Sequence, residues 1–366
     1  MGVNMSLVLE NVTKIVEGQT WVSNINMTLE PGSFNVLLGR TLAGKTTLMR
    51  LMAGLDKPSE GRIIMNGADV TGKPVRERNL SMVYQQFINY PNLSVFENIA
   101  SPLRLARMSE KEIKERVFET AKMLRIEPFL KRLPLELSGG QQQRTAMARA
   151  LVKDAELILF DEPLVNLDYK LREELREELR SLFRQRNCIA VYATTEPNEA
   201  LALSGNTAVL HEGRLLQHGK TAEVYHRPTS IETAVMFSEP PMNIVKSKVT
   251  ESEVTFDETV HFQLNKDLNH LTPGMYNLGV RASHIGLVPH ADDDLELPVS
   301  VDLAEISGSE TFLHVRNDHL SLVLHLPGVH EYAVDEKITI YFPTHKLYAF
   351  DLQGQLIHAP ARISGV

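Results

Sequence analysis

The chain has 366 residues, of which 43% are hydrophobic, and a formal net charge of −8 with a pI near 5.9. Its length allows two or three domains with sizeable cores. The acidic balance and the lack of a basic stripe argue against nucleic acid as the main partner, because phosphate backbones are bound by clustered cations. The single cysteine, Cys188, lies in an apolar run, which suits a buried residue and a reducing compartment. No apolar stretch is long enough to cross a bilayer, so we expect any membrane association to come through a partner.

Apolar runs of β character alternate with helical periods over the first part of the chain, which predicts an α/β domain with a largely parallel core sheet. Three of these runs are expected to be strands of that sheet, at Phe34–Leu38, Leu157–Phe160 and Ile189–Ala193. Helical spacing of apolar residues predicts one helix within Glu110–Leu133 and another that carries Leu171–Phe183.

The sequence pattern changes after the paired prolines Pro240 and Pro241, where we place a linker. Beyond it, short alternating strands such as Leu320–Leu326 and Lys337–Phe342 are separated by turn residues, which predicts a small β-barrel. The predicted domains are therefore residues 1–236 and residues 237–366.

A glycine-rich loop follows the first predicted strand and precedes an apolar helix at Leu48–Ala53. Its sequence fits G-x-x-x-x-G-K-[ST], in the strand–loop–helix order that phosphate binding requires; the alternative is a chance glycine-rich turn. Backbone N–H groups and the helix N-terminus would hold phosphates, Lys45 would reach the β- and γ-phosphates, and the Thr46 hydroxyl would ligate Mg²⁺. Leu42 stands where many such loops have glycine, which predicts a stiffer loop. The predicted nucleotide-binding residues are Gly39, Arg40, Thr41, Leu42, Ala43, Gly44, Lys45, Thr46 and Thr47.

The apolar strand Leu157–Phe160 is followed by two acidic residues, Asp161 and Glu162. A strand inside the sheet would deliver Asp161 beside the metal and place Glu162 to polarise the attacking water. Two acids at a strand end are weak evidence alone, because acidic residues often end strands. Beside a phosphate loop the same pattern is strong evidence for nucleotide hydrolysis.

A serine and two glycines precede an alanine-rich helix at Thr145–Val152. Such a helix start exposes N–H groups and a hydroxyl to an anion, so the chain has a second predicted phosphate-binding surface. The residues concerned are Ser138, Gly139, Gly140 and Gln141. Together with Leu137 they read Leu-Ser-Gly-Gly-Gln and resemble the signature motif of the ABC ATPase family. With the other motifs in family order, the resemblance covers roughly residues 5–236.

This resemblance implies an α/β P-loop NTPase fold, with a helical subdomain at about residues 86–150, and hydrolysis of ATP with Mg²⁺ coupled to transport. In the family, the signature motif completes the nucleotide site of the other subunit in a head-to-tail dimer. Gln85 looks like the Q-loop glutamine, which senses Mg²⁺ and couples to the membrane subunit, so the implied metal residues are Thr46, Gln85 and Asp161. Asp168 looks like the D-loop aspartate at the dimer contact. The plain alternatives are a polar loop residue for Gln85 and a helix N-cap for Asp168.

Three later segments, Tyr225–Pro228, Pro240–Asn243 and Gly279–Ile285, resemble the ATPases of maltose-type carbohydrate importers. Those ATPases end in an all-β, OB-like regulatory barrel, which exporter ATPases usually lack. The resemblance implies import of a sugar or a small polyol such as glycerol, at the cytoplasmic face of the inner membrane. The implied partners are transmembrane permease subunits and, indirectly, an extracytoplasmic solute-binding protein.

Two positions depart from the family pattern. Thr195 stands where the family has its switch histidine, which contacts the γ-phosphate. A threonine cannot carry a positive charge, and the loss of one preorganised donor costs roughly 10²- to 10³-fold in rate by analogy with oxyanion sites, while ATP binding need not suffer. The usual adenine-stacking aromatic after the first strand is also missing; Trp21 either takes its place or is only a packing residue.

Both departures fall on the half-site built from this chain's own phosphate loop, whereas the signature motif is intact. This asymmetry favours a heterodimer of two unequal ATPases, as in importers that resemble the glycerol importers. The alternatives are a homodimeric slow ATPase and a mainly non-hydrolytic regulatory subunit that binds ATP. A soluble ABC protein of DNA repair or translation is disfavoured, because the chain has neither a long coiled-coil insert nor a second cassette.

Overall fold

In a computed structural model of the chain, the described residues are 6–165, 167, 169–185, 187–256, 260–289, 291 and 294–361. The chain divides into two compact units, Met1–Thr221 and Ala222–Val366. The strands of the first unit are β1 (Leu7–Val16), β2 (Gln19–Leu29), β3 (Phe34–Leu38), β4 (Glu60–Met65), β5 (Ala68–Asp69), β6 (Leu80–Val83), β7 (Leu157–Asp161), β8 (Ile189–Thr194), β9 (Asn206–His211) and β10 (Arg214–Lys220). Its helices are α1 (Lys45–Ala53), α2 (Val95–Leu105), α3 (Glu110–Met123), α4 (Gly139–Leu151), α5 (Tyr169–Gln185) and α6 (Pro197–Leu203).

The core sheet of the first unit has the strand order β10-β9-β3-β8-β7-β6. All neighbouring pairs are parallel except β9 and β10. Every residue of β7 and β8 is buried, which explains why both strands read as unbroken apolar runs. Leu38 pairs with Thr194 and Asp161 pairs with Ala193, so the carboxyl ends of β3, β7 and β8 lie side by side.

A smaller antiparallel sheet, ordered β2-β1-β4-β5, shares one hydrophobic core with α1 and the parallel sheet. Leu9 and Ile25 from the small sheet, Leu48 from α1, and Leu159 and Val191 from the parallel sheet are all members of this core. Helix α1 is therefore held between the two sheets, with its first turn at the end of β3.

The helices α2, α3 and α4 lie between β6 and β7 in the chain. Helix α3 begins with a capping box formed by Ser109 and Glu112. It ends at Met123, earlier than the periodicity of Glu110–Leu133 suggested, because Arg125 adopts a left-handed backbone (φ 53°) and Pro128 lies in a following 3₁₀ turn. The later apolar residues of that stretch are thus outside the helix.

The second unit is predominantly β-structure. After the short helices α7 (Thr221–His226, which begins at the unit boundary) and α8 (Ile231–Met236) come β11 (Asn243–Val249), β12 (Glu253–Phe256), β13 (Val260–Gln263), β14 (Gly274–Val280), β15 (Leu295–Ser307), β16 (Glu310–Arg316), β17 (Ser321–Pro327), β18 (Lys337–Phe342), β19 (Tyr348–Phe350) and β20 (Leu356–His358). They form two antiparallel sheets, ordered β13-β12-β11-β14-β19-β20 and β17-β16-β15-β18. Phe256 of one sheet and Leu313, Leu324 and Ile340 of the other belong to one core, as in a barrel-like domain.

Two buried polar side chains hold this second unit together. Asn243 donates to the carbonyl of Val323 and accepts from its N–H, both at 2.8 Å, so an amide side chain pairs with β17 as a strand would. Arg281, 3% exposed, donates to the carbonyls of Tyr225 (2.5 Å) and Phe237 (3.1 Å). This arginine ties the helices α7 and α8 to the β-structure, and the two compact units accordingly divide ahead of these helices.

Within the described ranges, no helix combines the length and the apolar character that a membrane span requires.

Candidate nucleotide-binding site

The glycine-rich loop connects β3 to α1, as the sequence predicted. A Cβ atom at Gly39 would lie 2.5 Å from the carbonyl oxygen of Leu210, so only glycine fits there without a shift. Gly44 caps α1 in a left-handed conformation (φ 97°). The turn after β9 supports the loop, because Gly213 donates its N–H to the Ala43 carbonyl at 3.1 Å. The backbone of the loop is therefore constrained up to the N-terminus of α1.

Lys45 is buried at the centre of this loop, with 4% of its surface exposed. Its Nζ donates to the carbonyls of Gly39 (2.7 Å) and Arg40 (3.1 Å) and lies 3.2 Å from Oε1 of Glu162. A buried ammonium needs such partners, because desolvation of an unpaired charge is costly. The cation is thus held within the loop by two backbone carbonyls and one carboxylate.

Two carboxylates at the end of β7, those of Asp161 and Glu162, face the loop. The Thr46 hydroxyl donates to Oδ1 of Asp161 at 3.1 Å, and Asp161 is 3% exposed. Burial raises the pKa of Asp161, and the neighbouring Glu162 carboxylate adds to the rise, while the Thr46 hydrogen bond opposes it. Gln85, just after β6, donates from Nε2 to Oε2 of Glu162 at 3.1 Å. The structure therefore brings together Lys45, Thr46, Gln85, Asp161 and Glu162.

The end of β8 is connected to both motifs. Thr194 accepts a hydrogen bond from the Gly39 N–H at 3.3 Å, and the Glu162 N–H donates to the Ala193 carbonyl at 3.1 Å. Thr195, the next residue, is exposed. The position that the sequence assigned to the missing histidine thus lies directly beyond the residue that touches the phosphate loop.

A buried cluster behind Thr195 was not anticipated from the sequence. Oε2 of Glu199 accepts from the Thr194 hydroxyl at 2.5 Å and from the Tyr192 hydroxyl at 3.2 Å. The Glu196 N–H donates to the Thr194 hydroxyl at 3.0 Å, and Arg172 pairs with the Glu196 carboxylate at 2.7 Å. Burial raises the pKa of Glu199. The sequence signal for this cluster was the five-residue spacing of Thr194 and Glu199. This spacing places one residue at the end of β8 and the other in the first turn of α6.

Trp21 lies beside the loop, and Leu42 lies within it. The carbonyl oxygen of Trp21 lies 3.0 Å from the position that a Cβ atom would take at Gly44, and half of the Trp21 residue surface is exposed. Leu42 has a left-handed backbone (φ 68°) and is 93% exposed. That conformation costs a branched residue about 1–2 kcal/mol relative to the right-handed region. The remaining loop residues, Thr41 and Thr47, lie on either side of this segment.

The signature residues lie on a separate element, the start of α4. Ser138 is its N-cap and forms a capping box with Gln141: the Gln141 N–H donates to the Ser138 hydroxyl at 3.4 Å, and Gln141 Oε1 accepts from the Ser138 N–H at 3.0 Å. A Cβ at Gly139 would meet nothing within 4 Å, whereas one at Gly140 would lie 3.3 Å from Leu167. Asp168 is outside the described residues.

The fold and these contacts define a P-loop ATPase. A sequence profile described as "ABC transporter" matches residues 22–165. The glycerol-3-phosphate import ATP-binding protein UgpC of Escherichia coli is 36% identical over 94% of this chain and 97% of its own length. The corresponding protein of Pectobacterium atrosepticum is 33% identical over 96% of this chain and 98% of its own length. These relatives span both compact units.

Solved structures match more than half of the chain. The dimeric structure of MJ0796, an ABC transporter cassette, has a TM-score of 0.54 and 31% identity over 59% of this chain and 98% of that one. The same cassette has also been solved in a post-hydrolysis state with ADP and Pi. The structure of cbiO1 from Clostridium perfringens, part of the ABC transporter complex cbiONQ, has a TM-score of 0.55 and 26% identity. It covers 61% of this chain and 91% of its own. The chain belongs to the ABC transporter family, as an ATP-binding and ATP-hydrolysing subunit that acts with transmembrane permease subunits.

Proposed function

We propose that this chain powers the import of glycerol-3-phosphate or a similar small polyol, from the cytoplasmic face of the membrane. The observation that carries this proposal is its similarity to glycerol-3-phosphate import ATP-binding proteins over 94% of its length. The similarity includes the barrel-like second unit, whereas the solved cassette covers only 59% of the chain. The wider class of solutes that the sequence predicted includes sugars as well as small polyols.

ATP would be held by the loop Gly39–Thr47, with Lys45 between the β- and γ-phosphates. In the structure Lys45 is neutralised by Glu162, a residue that would otherwise repel an incoming triphosphate. When phosphate enters, Lys45 exchanges this carboxylate for phosphate oxygens, and Glu162 is released to orient the attacking water. Gln85, which donates to Glu162, is placed to move with it.

The residues around Asp161 fit Mg²⁺. Thr46 and Asp161 offer a hydroxyl and a carboxylate that already lie 3.1 Å apart, and the amide group of Gln85, which donates to Glu162, would add an oxygen donor. Hard oxygen donors of this kind, completed by substrate phosphates, are what Mg²⁺ selects. The ion supplies charge neutralisation on the phosphates, and a cation beside Asp161 favours its ionised form.

Hydrolysis at this site is expected to be slow, because Thr195 offers only a short neutral hydroxyl to the developing phosphate charge. The flanking residues Thr194 and Glu196 are fixed by hydrogen bonds, so the position itself is ordered. The substitution Thr195→His should therefore raise ATP turnover if the other residues of the site are competent.

The active form is proposed to be a head-to-tail dimer in which Ser138–Gln141 of each subunit complete the other's site. The departures at Thr195 and near Trp21 favoured two unequal ATPases, but no comparison supports a distinct second ATPase, and a solved relative is a dimeric cassette. We therefore propose two copies of this chain, with the unequal pair as the rival arrangement.

Two substitutions separate these arrangements in the assembled transporter. In a homodimer, Ser138→Arg and Glu162→Gln each damage both sites, so both should lower ATP hydrolysis by at least about tenfold. In an unequal pair, Ser138→Arg damages the partner's competent site, whereas Glu162→Gln affects only the weaker one. A large loss from Ser138→Arg with little loss from Glu162→Gln would therefore overturn the homodimer.

The solute is tested by uptake in the producing organism. A strain that lacks this gene should lose uptake of radiolabelled glycerol-3-phosphate, and the intact gene should restore it. Lys45→Ala should fail to restore uptake, whereas Lys131→Ala, at an exposed site, should succeed. Unchanged glycerol-3-phosphate uptake in the deletion strain would overturn the proposed solute while leaving the ATPase assignment intact.

A further inference from the structure

The signature turn, Ser138–Gln141, is packed against residues at and near the start of α5. A Cβ atom at Gly140 would lie 3.3 Å from the side chain of Leu167 and 3.4 Å from that of Leu171. Leu171 belongs to the first turn of α5, the helix that follows the acidic residues at the end of β7. A shift of α5 relative to α4 would therefore be felt directly at the second signature glycine.

The signature turn is also tied to the end of α3. Arg144, one helical turn after Gly140 in α4, donates from Nε to the Gly140 carbonyl at 3.4 Å. Its Nη1 donates to the carbonyl of Leu124 at 3.3 Å. Leu124 is the C-terminal residue that caps α3 and is buried, with 1% of its surface exposed. One arginine thus fixes the end of α3 to the first turn of α4.

The next residue, Arg125, connects the end of α3 to α5. Its Nη1 donates to Oε2 of Glu174 at 2.6 Å, and its Nε lies 3.3 Å from Oε1 of Glu178. The two glutamates are one helical turn apart on α5, a spacing at which like charges repel. The Arg125 guanidinium therefore neutralises both carboxylates and holds them to the end of α3.

Glu178 is the more enclosed of the two acids. Its side chain is 22% exposed, and among the described residues its Oε2 is buried without a hydrogen-bond donor. Burial raises the pKa of Glu178; Arg125 opposes the rise, Glu174 adds to it, and Arg144 opposes it. A partly buried carboxylate depends on such cations, because its desolvation is otherwise uncompensated. Arg125 and Arg144 thus form one charge cluster with the acids of α5.

We propose that Arg125 is a positioning residue for ATP hydrolysis, because its pairing with Glu174 and Glu178 fixes the signature turn relative to α5. The inference rests on the proposed head-to-tail dimer, in which the signature turn completes the partner's nucleotide site. Arg125 does not itself touch nucleotide. It acts through the end of α3, which Arg144 joins to the signature turn. Its loss lets the signature turn move relative to α5, and a misplacement of about 1 Å can cost on the order of 10²-fold in rate.

The first test measures ATP turnover in the assembled transporter and ATP affinity by titration on the purified full chain. Arg125 has a left-handed backbone (φ 53°), so Arg125→Asn removes the cation and keeps a residue that tolerates this conformation. Turnover should fall by about tenfold, whereas ATP affinity should change by less than about twofold, because the phosphate loop lies on other elements. The matched control Arg62→Asn removes an exposed arginine that pairs with Glu10 at 2.7 Å on the small sheet, and should change neither quantity.

Charge reversal separates the ion pair from the fold of the α3 end. Arg125→Glu places three acids together and should lower turnover at least as far as Arg125→Asn. The double variant Arg125→Glu/Glu174→Arg again sets one cation beside two acids and should recover turnover to within about threefold of the wild type. A variant that had only unfolded the end of α3 would gain nothing from the second substitution.

Hydrogen exchange measures the positioning itself. In Arg125→Asn, the backbone amides of residues 138–144 should exchange faster than in the wild type, because the turn opens locally more often. The amides of residues 39–47, in the phosphate loop, should exchange at the wild-type rate. Unchanged exchange at residues 138–144 would contradict the proposed role.

The outcomes also distinguish the role of Arg125 from the dimer that it assumes, when Ser138→Arg is measured in the same turnover assay. Wild-type turnover in Arg125→Asn, beside a loss in Ser138→Arg, would overturn the positioning role and leave the dimer standing. Parallel losses of affinity and turnover in Arg125→Asn would indicate general damage and would also overturn it. If Ser138→Arg itself keeps wild-type turnover, both the proposed dimer and the role of Arg125 are wrong.

Discussion

Trp21 lies at the rim of the phosphate loop and is the chain's one tryptophan. Its carbonyl borders Gly44, and half of its residue surface is exposed. We predict that the indole stacks on adenine, so ATP should change the intrinsic tryptophan fluorescence. Trp21→Ala should weaken ATP binding by about tenfold, the order expected for one base stacked on an aromatic ring, while Trp21→Phe should keep most of the affinity. Unchanged affinity in Trp21→Ala would assign this residue to packing alone.

His284, in the second unit, titrates in the acid range. Burial lowers its pKa to about 4, with the nearby cations Lys346 and Arg281 adding to the effect. The unfolded chain has an ordinary histidine pKa near 6.5, so on acidification it binds a proton that the folded state does not. His284 therefore reduces stability as the pH falls from about 6.5 towards 4, by up to about 3 kcal/mol.

Replacing His284 removes this dependence. The free energy of unfolding of the second unit, measured with urea at pH 7.5 and pH 5, should fall less in His284→Gln than in the wild type. The exposed residue His319 provides the matched control His319→Gln, which should retain the wild-type difference. Equal pH dependence in His284→Gln and the wild type would contradict the assignment.

At the scale of elements, the junction of β8 and α6 orders the position of Thr195. Glu199 is a positioning residue, because it acts through the Thr194 hydroxyl and not on nucleotide. We predict that Glu199→Ala lowers ATP turnover by about tenfold while leaving ATP affinity unchanged, since the Thr194 carbonyl contact to Gly39 is made by the backbone.

Glu199→Gln keeps an acceptor for the two hydroxyls and should restore most of the turnover. Turnover and affinity should be measured separately, with the circular dichroism spectrum as a check on folding. A parallel loss of affinity and turnover in Glu199→Ala would indicate general damage to the sheet and not a positioning role.

At the scale of the whole molecule, the segment 222–238 belongs energetically with the β-rich unit. Arg281 donates to the carbonyls of Tyr225 and Phe237 in this segment. Ala234 packs with Met242, Tyr348 and Phe350. We predict that a chain ending at Thr221 folds and binds ATP with wild-type affinity. A chain ending at Glu239 should also bind ATP but aggregate more, because α8 loses its apolar partners.

Analytical size exclusion with nucleotide titration on both truncations tests this expectation. If the shorter chain is unfolded while the longer one is monomeric and binds ATP, the first domain extends to about residue 236, as the change in sequence pattern suggested.

The sequence by itself determined the features whose chemistry is local. The phosphate loop, the two acids at the end of β7 and the start of α4 could be recognised, because each needs only consecutive residues at a strand or helix end. The buried strands β7 and β8 were visible for the same reason, as unbroken apolar runs. Cys188 is buried, as its surroundings indicated.

Only the tertiary structure decided how these pieces meet. Three contacts join residues far apart in the chain. Lys45 pairs with Glu162, Trp21 lies beside Gly44, and Arg281 donates to carbonyls of Tyr225 in α7 and of Phe237 at the end of α8. Which strand ends become neighbours depends on the order of strands in the sheet, and local periodicity carries no information about that order. The contacts that neutralise Lys45 and fix Thr194 therefore could not be found from motifs, although every motif that they connect could.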